Sequence, residues 1–434
     1  LKDMELANLV RGKSSREILL ITGIYAREDG TGDSGVIRDA PQQLLVEVLA
    51  KELEKNYSFA LFVAERGTAT KEVVYVLERQ GFIRPHMADE NDKRTIYMVD
   101  MHEPLMFLHN LDTTIKEPFA SNPAVLDAVE KNHKKLQIAM TKLYPGNLVL
   151  SLSSGIMYHR LVDRITALND VPREPLVPRR LGKNMCVPFG KILRGKVVPN
   201  TVTKTLHTDK VYEPDLNSFT IEPFPYYSPL KSQIETIKSF DRPVILVDDL
   251  VHTANRLQVL VPQLREDGIP IKKVVVGVLS GYGRDLMQCL KVPVESIYSM
   301  PNLRQWFVES TLYPFIGGDT VRREEMKVAG LQPSINMILP YATPRLSGCS
   351  REALVEFSAC CIENSRDLFQ VLEAEYRKMY AKNLTLSRLS EAVILPLCPD
   401  KGSCMEYDEN LAASVYLEND LETLWRMKEF LIKG

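Results

Sequence analysis

The sequence has no long hydrophobic run and no strong excess of charge of either sign. No stretch approaches the ~18 consecutive apolar residues of a membrane span, and the first residues do not form a signal-peptide pattern. The formal net charge is only −2 over 434 residues, so there is no global positive field of the kind that attracts nucleic acid or an anionic membrane. We therefore expect neither of these partners.

Motifs for metal, redox and nucleophilic chemistry are also scarce. The seven cysteines are an odd number without a C-x-x-C pair, which is typical of reduced thiols and favours a cytoplasmic location. The seven histidines are scattered without an H-x-x-x-H or His/Cys cluster, so the sequence argues against a structural zinc site. Nothing resembles a nucleophile elbow or a Walker loop.

What the chain does contain is the composition of an ordinary globular protein, 45% hydrophobic and 25% charged, long enough for two or three domains. The first residue is Leu rather than Met, which favours a piece of a longer polypeptide. In the first hundred residues, apolar spacing predicts alternating strands and helices. The strands are expected at 18–26, 58–64 and 95–101, the helices at 39–55 and 70–80, and a weakly periodic connector at 103–120.

A second αβ block begins at Asn122-Pro123, which has the cap and first-turn residues of a helix start. Alternation of strands with helices predicts a doubly wound, mainly parallel sheet. The strands are expected at 148–152, 184–189, 244–249, 273–280 and 294–299, and the helices at 156–168, 255–266 and 285–290. Residues 190–227 are a long basic stretch with weak periodicity, typical of a functional or disordered loop. Long amphipathic helices at 351–381 and 411–432 are expected to cap a sheet, with a homodimer contact as the alternative.

Residues 244–256 are the most informative segment. An apolar strand runs into two adjacent carboxylates, Asp248 and Asp249, and then into a short polar loop that opens a helix. One acid could simply cap the helix, but two neighbouring acids repel each other, so capping explains only one of them. Paired acids beside helix amides suit a phosphorylated sugar, because carboxylates accept from hydroxyls and amides hold phosphate.

This segment resembles the signature of type I phosphoribosyltransferases, and the resemblance covers about residues 120–320. It implies that Asp248 and Asp249 hold the ribose hydroxyls of phosphoribosyl diphosphate (PRPP), with Mg²⁺ bound there or carried only by PRPP. It also implies that the following turn holds the 5′-phosphate, through His252, Thr253, Ala254, Asn255 and Arg256. The family usually has Gly at the position of Ala254, which can still permit a tight approach if its φ is negative. It has a small hydroxyl residue at the position of Arg256, whose guanidinium could pair with phosphate or plug the pocket.

The same resemblance implies three further contributions to the site. A diphosphate-binding turn is expected at Ser153, Ser154 and Gly155, after a strand that should lie beside the acids. A mobile hood that closes over the diphosphate is expected to carry Lys204, His207 and Lys210. Trp306 is expected either to stack on the acceptor base or to belong to the core.

The amino-terminal block carries Arg27, Gly30 and Gly32 in an R-x-x-G-x-G pattern after an apolar strand. Residues 15–102 resemble the second half of GNAT-type N-acetyltransferases, in which such a loop holds the pyrophosphate of coenzyme A. The resemblance implies acetyl-CoA as a ligand, although a lone Gly-rich hexamer is a weak signal.

Together these patterns predict an α/β protein with three domains. The domains are a partial GNAT-like αβ module (1–110), a phosphoribosyltransferase-like domain with a doubly wound sheet (111–335) and a helical carboxy-terminal region (336–434). The predicted function is Mg²⁺-dependent transfer of ribose 5-phosphate from PRPP to a base or other small acceptor, with release of diphosphate. The alternatives are a non-catalytic PRPP- or nucleotide-binding regulatory domain and an acetyl-CoA-dependent acyltransferase fragment.

Overall fold

A computed structural model provides the structure of the chain. It describes residues 10, 13, 17–24, 40–55, 57–65, 69–85, 94–178, 180–225, 227–323, 328, 330–344, 346–401 and 406–433. The chain divides into two compact units. The first combines Leu1–Ser151 with Arg304–Gly434, and the second is Leu152–Leu303.

The strands of the described residues are numbered in chain order. They are β1 (Ile18–Ile21), β2 (Phe59–Glu65), β3 (Arg94–His109), β4 (Asn147–Ser153), β5 (Met185–Pro188), β6 (Val202–Thr203), β7 (Thr208–Tyr212), β8 (Phe219–Pro223), β9 (Val244–Val251), β10 (Ile271–Ser280), β11 (Val294–Met300), β12 (Gln305–Val308), β13 (Asp319–Val321), β14 (Gln332–Ile335) and β15 (Leu397–Pro399).

The α-helices are numbered in the same way. They are α1 (Ala40–Glu52), α2 (Lys71–Glu78), α3 (Pro123–Leu143), α4 (Ser154–Leu168), α5 (Leu230–Lys238), α6 (Asn255–Glu266), α7 (Gly281–Cys289), α8 (Arg351–Tyr380) and α9 (Ala413–Lys433). Short 3₁₀ turns lie at Leu53–Lys55, Asp112–Thr114, Phe119–Ser121, Glu309–Leu312 and Leu386–Glu391. No helix of the described residues is both long and apolar enough to cross a bilayer.

The first unit contains a mixed sheet in the order β1-β2-β3-β12, with β4 also paired to β3. β1 and β2 are parallel, β2 and β3 antiparallel, and β3 and β12 parallel. The predicted connector at 103–120 is wrong over its first part, because β3 continues to His109. The four consecutive residues Leu105, Met106, Phe107 and Leu108 are all buried, so both faces of the strand are covered here. A strand buried on both sides lacks the alternation that we sought.

The carboxy-terminal helices pack within the first unit. α8 contacts both α3 and α9. Asn132 of α3 and Asn364 of α8 are buried, and each donates its side-chain amide to the other's backbone carbonyl, at 2.8 and 3.1 Å. The two compact units therefore differ from the three consecutive domains expected with boundaries at 110 and 335, because long-range helix packing joins the two ends of the chain.

The second unit is built on a parallel sheet in the order β11-β10-β9-β5-β6. Along β10, Val276 shares a core cluster with Leu257 of α6. The adjacent Gly277 lies so close to Met157 of α4 that a β-carbon would overlap the Met157 sulfur. Successive strand residues face opposite sides, so helices cover both faces of this sheet. The mixed α/β class with parallel strands is confirmed.

The basic stretch at 190–227 is more regular than predicted. It contains β6 and an antiparallel hairpin in which β7 pairs with β8, with Thr208 opposite Pro223 and Tyr212 opposite Phe219. Alternation over five residues is too short a signal to separate such a hairpin from a polar loop.

Candidate functional site

The acid pair lies on the central strand of the second unit's sheet. Asp248 and Asp249 are near the carboxyl end of β9, which has β5 on one side and β10 on the other. Asp248 is only 8% exposed, and its Oδ1 accepts from the backbone N–H of Asp249 at 2.9 Å. Burial raises the pKa of Asp248 to about 7; Arg256 opposes this rise and the negative charge of Asp249 adds to it.

Arg256 lies directly against the first acid. Its Nη1 is 3.6 Å from Asp248 Oδ1 and donates to the Phe189 carbonyl at 3.5 Å. Both alternatives for Arg256, pairing with phosphate and plugging the pocket, stay predictions.

Asp249 is held by the loop that follows β5. Its Oδ2 accepts from Lys191 N at 2.6 Å and its Oδ1 from Ile192 N at 3.0 Å. Gly190 makes this close approach feasible, because a β-carbon there would lie 2.8 Å from Asp249 Cγ. Charge-assisted bonds from two amides fix the carboxylate rigidly.

This loop, rather than Ser153–Gly155, follows the strand beside the acid pair. The strand that precedes Ser153 is β4, which pairs with β3 and not with β9. Ser153 instead caps α4, with its Oγ accepting from Ile156 N at 3.4 Å. Ser154 is buried and Gly155 half-buried. We selected Ser153, Ser154 and Gly155 because their strand should lie beside the acid pair, and this adjacency is not found. The loop at 189–194 follows the strand that does lie beside β9.

A second guanidinium belongs to the same region of the second unit. Arg194 lies 5.1 Å from the centre of the Phe224 ring. Burial lowers its pKa and the charge of Arg256 lowers it further, whereas Asp209 and Asp249 oppose the change. Two neighbouring guanidinium groups form an environment that favours an anion. The sequence signal for this loop was a glycine, a lysine and an arginine directly after a short apolar strand. We refer to Asp248, Asp249, Arg194 and Arg256 as the edge site.

The turn after β9 contains a residue in the left-handed conformation. Ala254 has φ 51° and ψ 22° and offers no side-chain cap to α6. The negative φ that we named as the condition for a tight approach is therefore not met. A left-handed conformation costs about 1–2 kcal/mol for a residue with a β-carbon, and such strain persists where the surrounding structure requires the conformation. Here it turns the chain from the strand into the first turn of α6.

The other predicted turn residues make local contacts. His252 Nδ1 lies 2.8 Å from Ser280 Oγ, and burial lowers the pKa of His252. Thr253 Oγ1 accepts from Asn255 Nδ2 at 2.8 Å. These contacts stiffen the turn without using the backbone N–H groups at the start of α6.

The predicted hood residues lie in or just before the β7–β8 hairpin. His207 stacks on Tyr227 with 3.8 Å between ring centres, and burial lowers its pKa, with Arg194 and Lys204 adding to the effect. The Lys210 ammonium lies 4.1 Å from the centre of the Phe219 ring. Lys204 is exposed, and its backbone N–H donates to the Cys186 carbonyl.

Two other groups of predicted residues belong to the first unit or lie outside the described residues. Trp306 is in β12 of the first unit, opposite Met106, and is half-buried. Its predicted role on an acceptor base stays a prediction. Arg27, Gly30 and Gly32 of the GNAT-like loop lie outside the described residues.

Comparison with known proteins gives little independent guidance. No known family's sequence profile matches the chain, and no curated protein matches it. One similar solved structure is a purine phosphoribosyltransferase from Pyrococcus horikoshii, at 13% identity and a TM-score of 0.23, covering 36% of this chain and 87% of that one. Another is the AQ2163 protein from Aquifex aeolicus, at 17% identity and a TM-score of 0.22, covering 43% and 85%. Similarity at these TM-scores does not assign a function to this chain.

Proposed function

We propose that the second unit binds a PRPP-type phosphorylated sugar at the edge site and transfers its ribose 5-phosphate group to a small acceptor, with release of diphosphate. The observation that carries the proposal is the arrangement at one end of β9. Two carboxylates, two guanidinium groups and a left-handed turn that opens a helix lie together there. Acids for hydroxyls and cations with helix amides for phosphate are the complementary groups that such a ligand requires.

Arg256 has two successive roles in this proposal. Without ligand, it neutralises part of the charge of the buried Asp248. It belongs to the first turn of α6, where the free amides of the helix start would hold the 5′-phosphate. When a sugar phosphate arrives, the guanidinium turns from Asp248 to the phosphate, and a ribose hydroxyl takes its place on the carboxylate.

The acid pair does not fit a directly held Mg²⁺ ion. Both oxygens of Asp249 already accept backbone N–H groups, and Asp248 is buried against Arg256. A magnesium site needs several carboxylate or water oxygens in near-octahedral geometry. We assign no step to magnesium at these side chains and include it only as the counter-ion of the diphosphate.

A second candidate function is binding without turnover, in a regulatory role. Asp248 and Asp249 already contact protein groups, which favours this candidate, because a catalytic site would have to free both carboxylates in every turnover. An acyltransferase activity stays a prediction, since its coenzyme A loop lies outside the described residues.

The experiment is calorimetric titration of the full chain with PRPP and Mg²⁺, followed by a diphosphate-release assay with a panel of bases. Binding with release supports the transferase, and binding without release supports the regulatory candidate. Asp249→Asn should weaken affinity about tenfold or more, because a hydrogen bond to a charged group contributes about 1.5–3 kcal/mol.

The matched control is Asp267→Asn. Asp267 follows the opposite end of α6 and forms only a long ion pair with Lys238, at 3.8 Å. If Asp249→Asn binds PRPP as tightly as Asp267→Asn does, the edge site is not the binding site.

A further inference from the structure

Two histidines and a glutamate meet in the first unit although they are distant in sequence. His109 is the last residue of β3, His133 lies in the middle of α3, and Glu309 begins the 3₁₀ turn after β12. The parallel register of β3 and β12 pairs Leu108 with Val308, so the next residues along both strands emerge at the same edge. We call these three residues the His–Glu cluster.

The donor atoms of the His–Glu cluster converge on one small volume. One ligand atom from each residue lies within 4.8 Å of the other two. His133 Nε2 is 2.8 Å and His109 Nδ1 is 3.8 Å from Glu309 Oε2. Around a tetrahedral zinc ion with bonds of about 2.0–2.1 Å, donor atoms stand roughly 3.4 Å apart. The observed separations bracket this value.

The cluster is buried and its hydrogen bonding is incomplete. The Glu309 side chain is fully buried, and those of the two histidines are 13% and 21% exposed. Among the described residues, His109 Nδ1, His133 Nε2 and Glu309 Oε1 have no hydrogen-bond partner. His133 Nε2 and Glu309 Oε2 are 2.8 Å apart, the distance of a close ion pair. Unsatisfied buried groups are costly and rare in native proteins, and three in one place indicate a missing shared partner.

Neighbouring groups hold the outer sides of these residues. His109 Nε2, which faces away from Glu309, contacts Ser151 Oγ and lies 2.8 Å from Gln137 Nε2. Two backbone N–H groups, of Asn110 and Leu111, donate to Glu309 Oε2 at 3.3 Å. Histidines that bind metal donate their second N–H to such a neighbour, which fixes the ring orientation, and Ser151 Oγ can accept from His109 Nε2 in this way whereas the Gln137 amide cannot.

We propose that the His–Glu cluster binds a divalent transition-metal ion, with zinc as the expected occupant. His109 Nδ1, His133 Nε2 and Glu309 would provide three ligands, and water or an exogenous ligand would take the fourth position. Two imidazoles with one carboxylate suit zinc and also suit non-haem iron(II). Binding would place the His109 proton on Nε2, where Ser151 can accept it, and would require the Gln137 amide to turn away.

The competing explanation is a buried ion pair between protonated His133 and Glu309. Burial opposes protonation of His133, yet Glu309 raises its pKa overall. The other charged groups that act on these rings are Arg79, which disfavours a further cation, and Asp112, which favours one. An ion pair accounts for His133 and one oxygen of Glu309. It leaves His109 Nδ1 and the second carboxylate oxygen unexplained.

The test is metal analysis of the full chain, expressed in zinc-supplemented medium and purified without a polyhistidine tag. We expect about one zinc per chain by mass spectrometry, and an X-ray absorption edge that shows nitrogen and oxygen ligands including imidazole. If the bound metal is iron, the proposed metal site is supported and only the identity of the metal differs. His133→Gln and Glu309→Gln should each lower zinc affinity at least tenfold in competition with a chromophoric chelator.

His102→Gln is the matched control, because His102 belongs to the same unit but its side chain is 44% exposed and contacts only Asp100 among carboxylates. If the ligand variants do not fold, zinc and cobalt(II) are titrated into chelator-treated wild-type protein whose circular dichroism is unchanged. Absence of stoichiometric binding in that folded protein would overturn the proposal. So would a Glu309→Gln variant that retains as much zinc as His102→Gln.

Discussion

The buried carboxylate of Asp248 should make the stability of the second unit depend on pH. Burial raises its pKa from 3.8 to about 7, even though Arg256 opposes the rise. The folded state therefore binds this proton more tightly than the unfolded state does. The contribution of Asp248 protonation to the free energy of unfolding is fully present below pH 4 and is lost progressively as the pH rises towards 7.

Asp248→Asn removes this titration. The pKa difference corresponds to about 1.4 kcal/mol for each pH unit, or roughly 4 kcal/mol between pH 4 and pH 7. The variant should therefore gain stability over the wild type along this slope, and the difference should level off above pH 7. Arg256 attracts only the ionised form of Asp248, so its effect is already contained in the pKa of about 7. The slope of the stability difference against pH is therefore the quantity to measure.

The assay is urea unfolding between pH 4.5 and pH 8.5. Both tryptophans, Trp306 and Trp425, belong to the first unit. Their fluorescence therefore reports that unit, whereas circular dichroism reports both. The transition seen only by circular dichroism is assigned to the second unit. Parallel stability curves for Asp248→Asn and wild type across this range would refute the reasoning. The control variant Asp267→Asn, at a carboxylate that is only partly buried, should give a curve parallel to that of the wild type.

Three further substitutions test local features of the structure. Ala254→Gly should stabilise the second unit by roughly 0.5–1 kcal/mol, since it removes left-handed strain at a smaller entropic cost; a lower urea midpoint would contradict this. Gly190→Ala should destabilise the unit by at least about 1 kcal/mol and weaken PRPP binding, because its β-carbon would displace Asp249; unchanged melting and unchanged affinity would argue against the contact. Asn122→Ala should cost about 1 kcal/mol more in the tryptophan-detected transition than Asn122→Ser does, because the Asn122 Oδ1 accepts from Ala124 N and Val125 N at the start of α3 and Ser keeps a capping oxygen; both variants lose the bond from Asn122 Nδ2 to Glu375, so equal losses in both would rule out capping.

Local elements were the part of this fold that could be read from the residues. Asn122-Pro123 marks the first turn of α3, Thr70 caps α2, and α6 spans the predicted residues 255–266. These features depend on caps, breakers and apolar spacing, which act over one or two helical turns. The position of the acid pair near the end of β9 was predictable for the same reason.

Pairing between distant segments was not predictable in this way. β4 and β5 are both short apolar strands, and nothing within them shows that β5 lies beside β9 while β4 pairs with β3. The place beside β9 that we expected for the strand before Ser154 therefore belongs to β5. The second half of β3 was not predicted as a strand, because it is buried on both faces and its apolar residues do not alternate with polar ones.

The sequence by itself determined most of the helices (α5 was not predicted), the parallel α/β character and the two carboxylates at the end of an apolar strand, because each depends on neighbours along the chain. Only the tertiary structure decided that Arg256 covers Asp248, that backbone amides hold Asp249, and that His109, His133 and Glu309 share one buried volume. Those contacts join residues on different elements. Their geometry and charge arise when the strands pair and the helices pack, and no periodicity along the sequence encodes them.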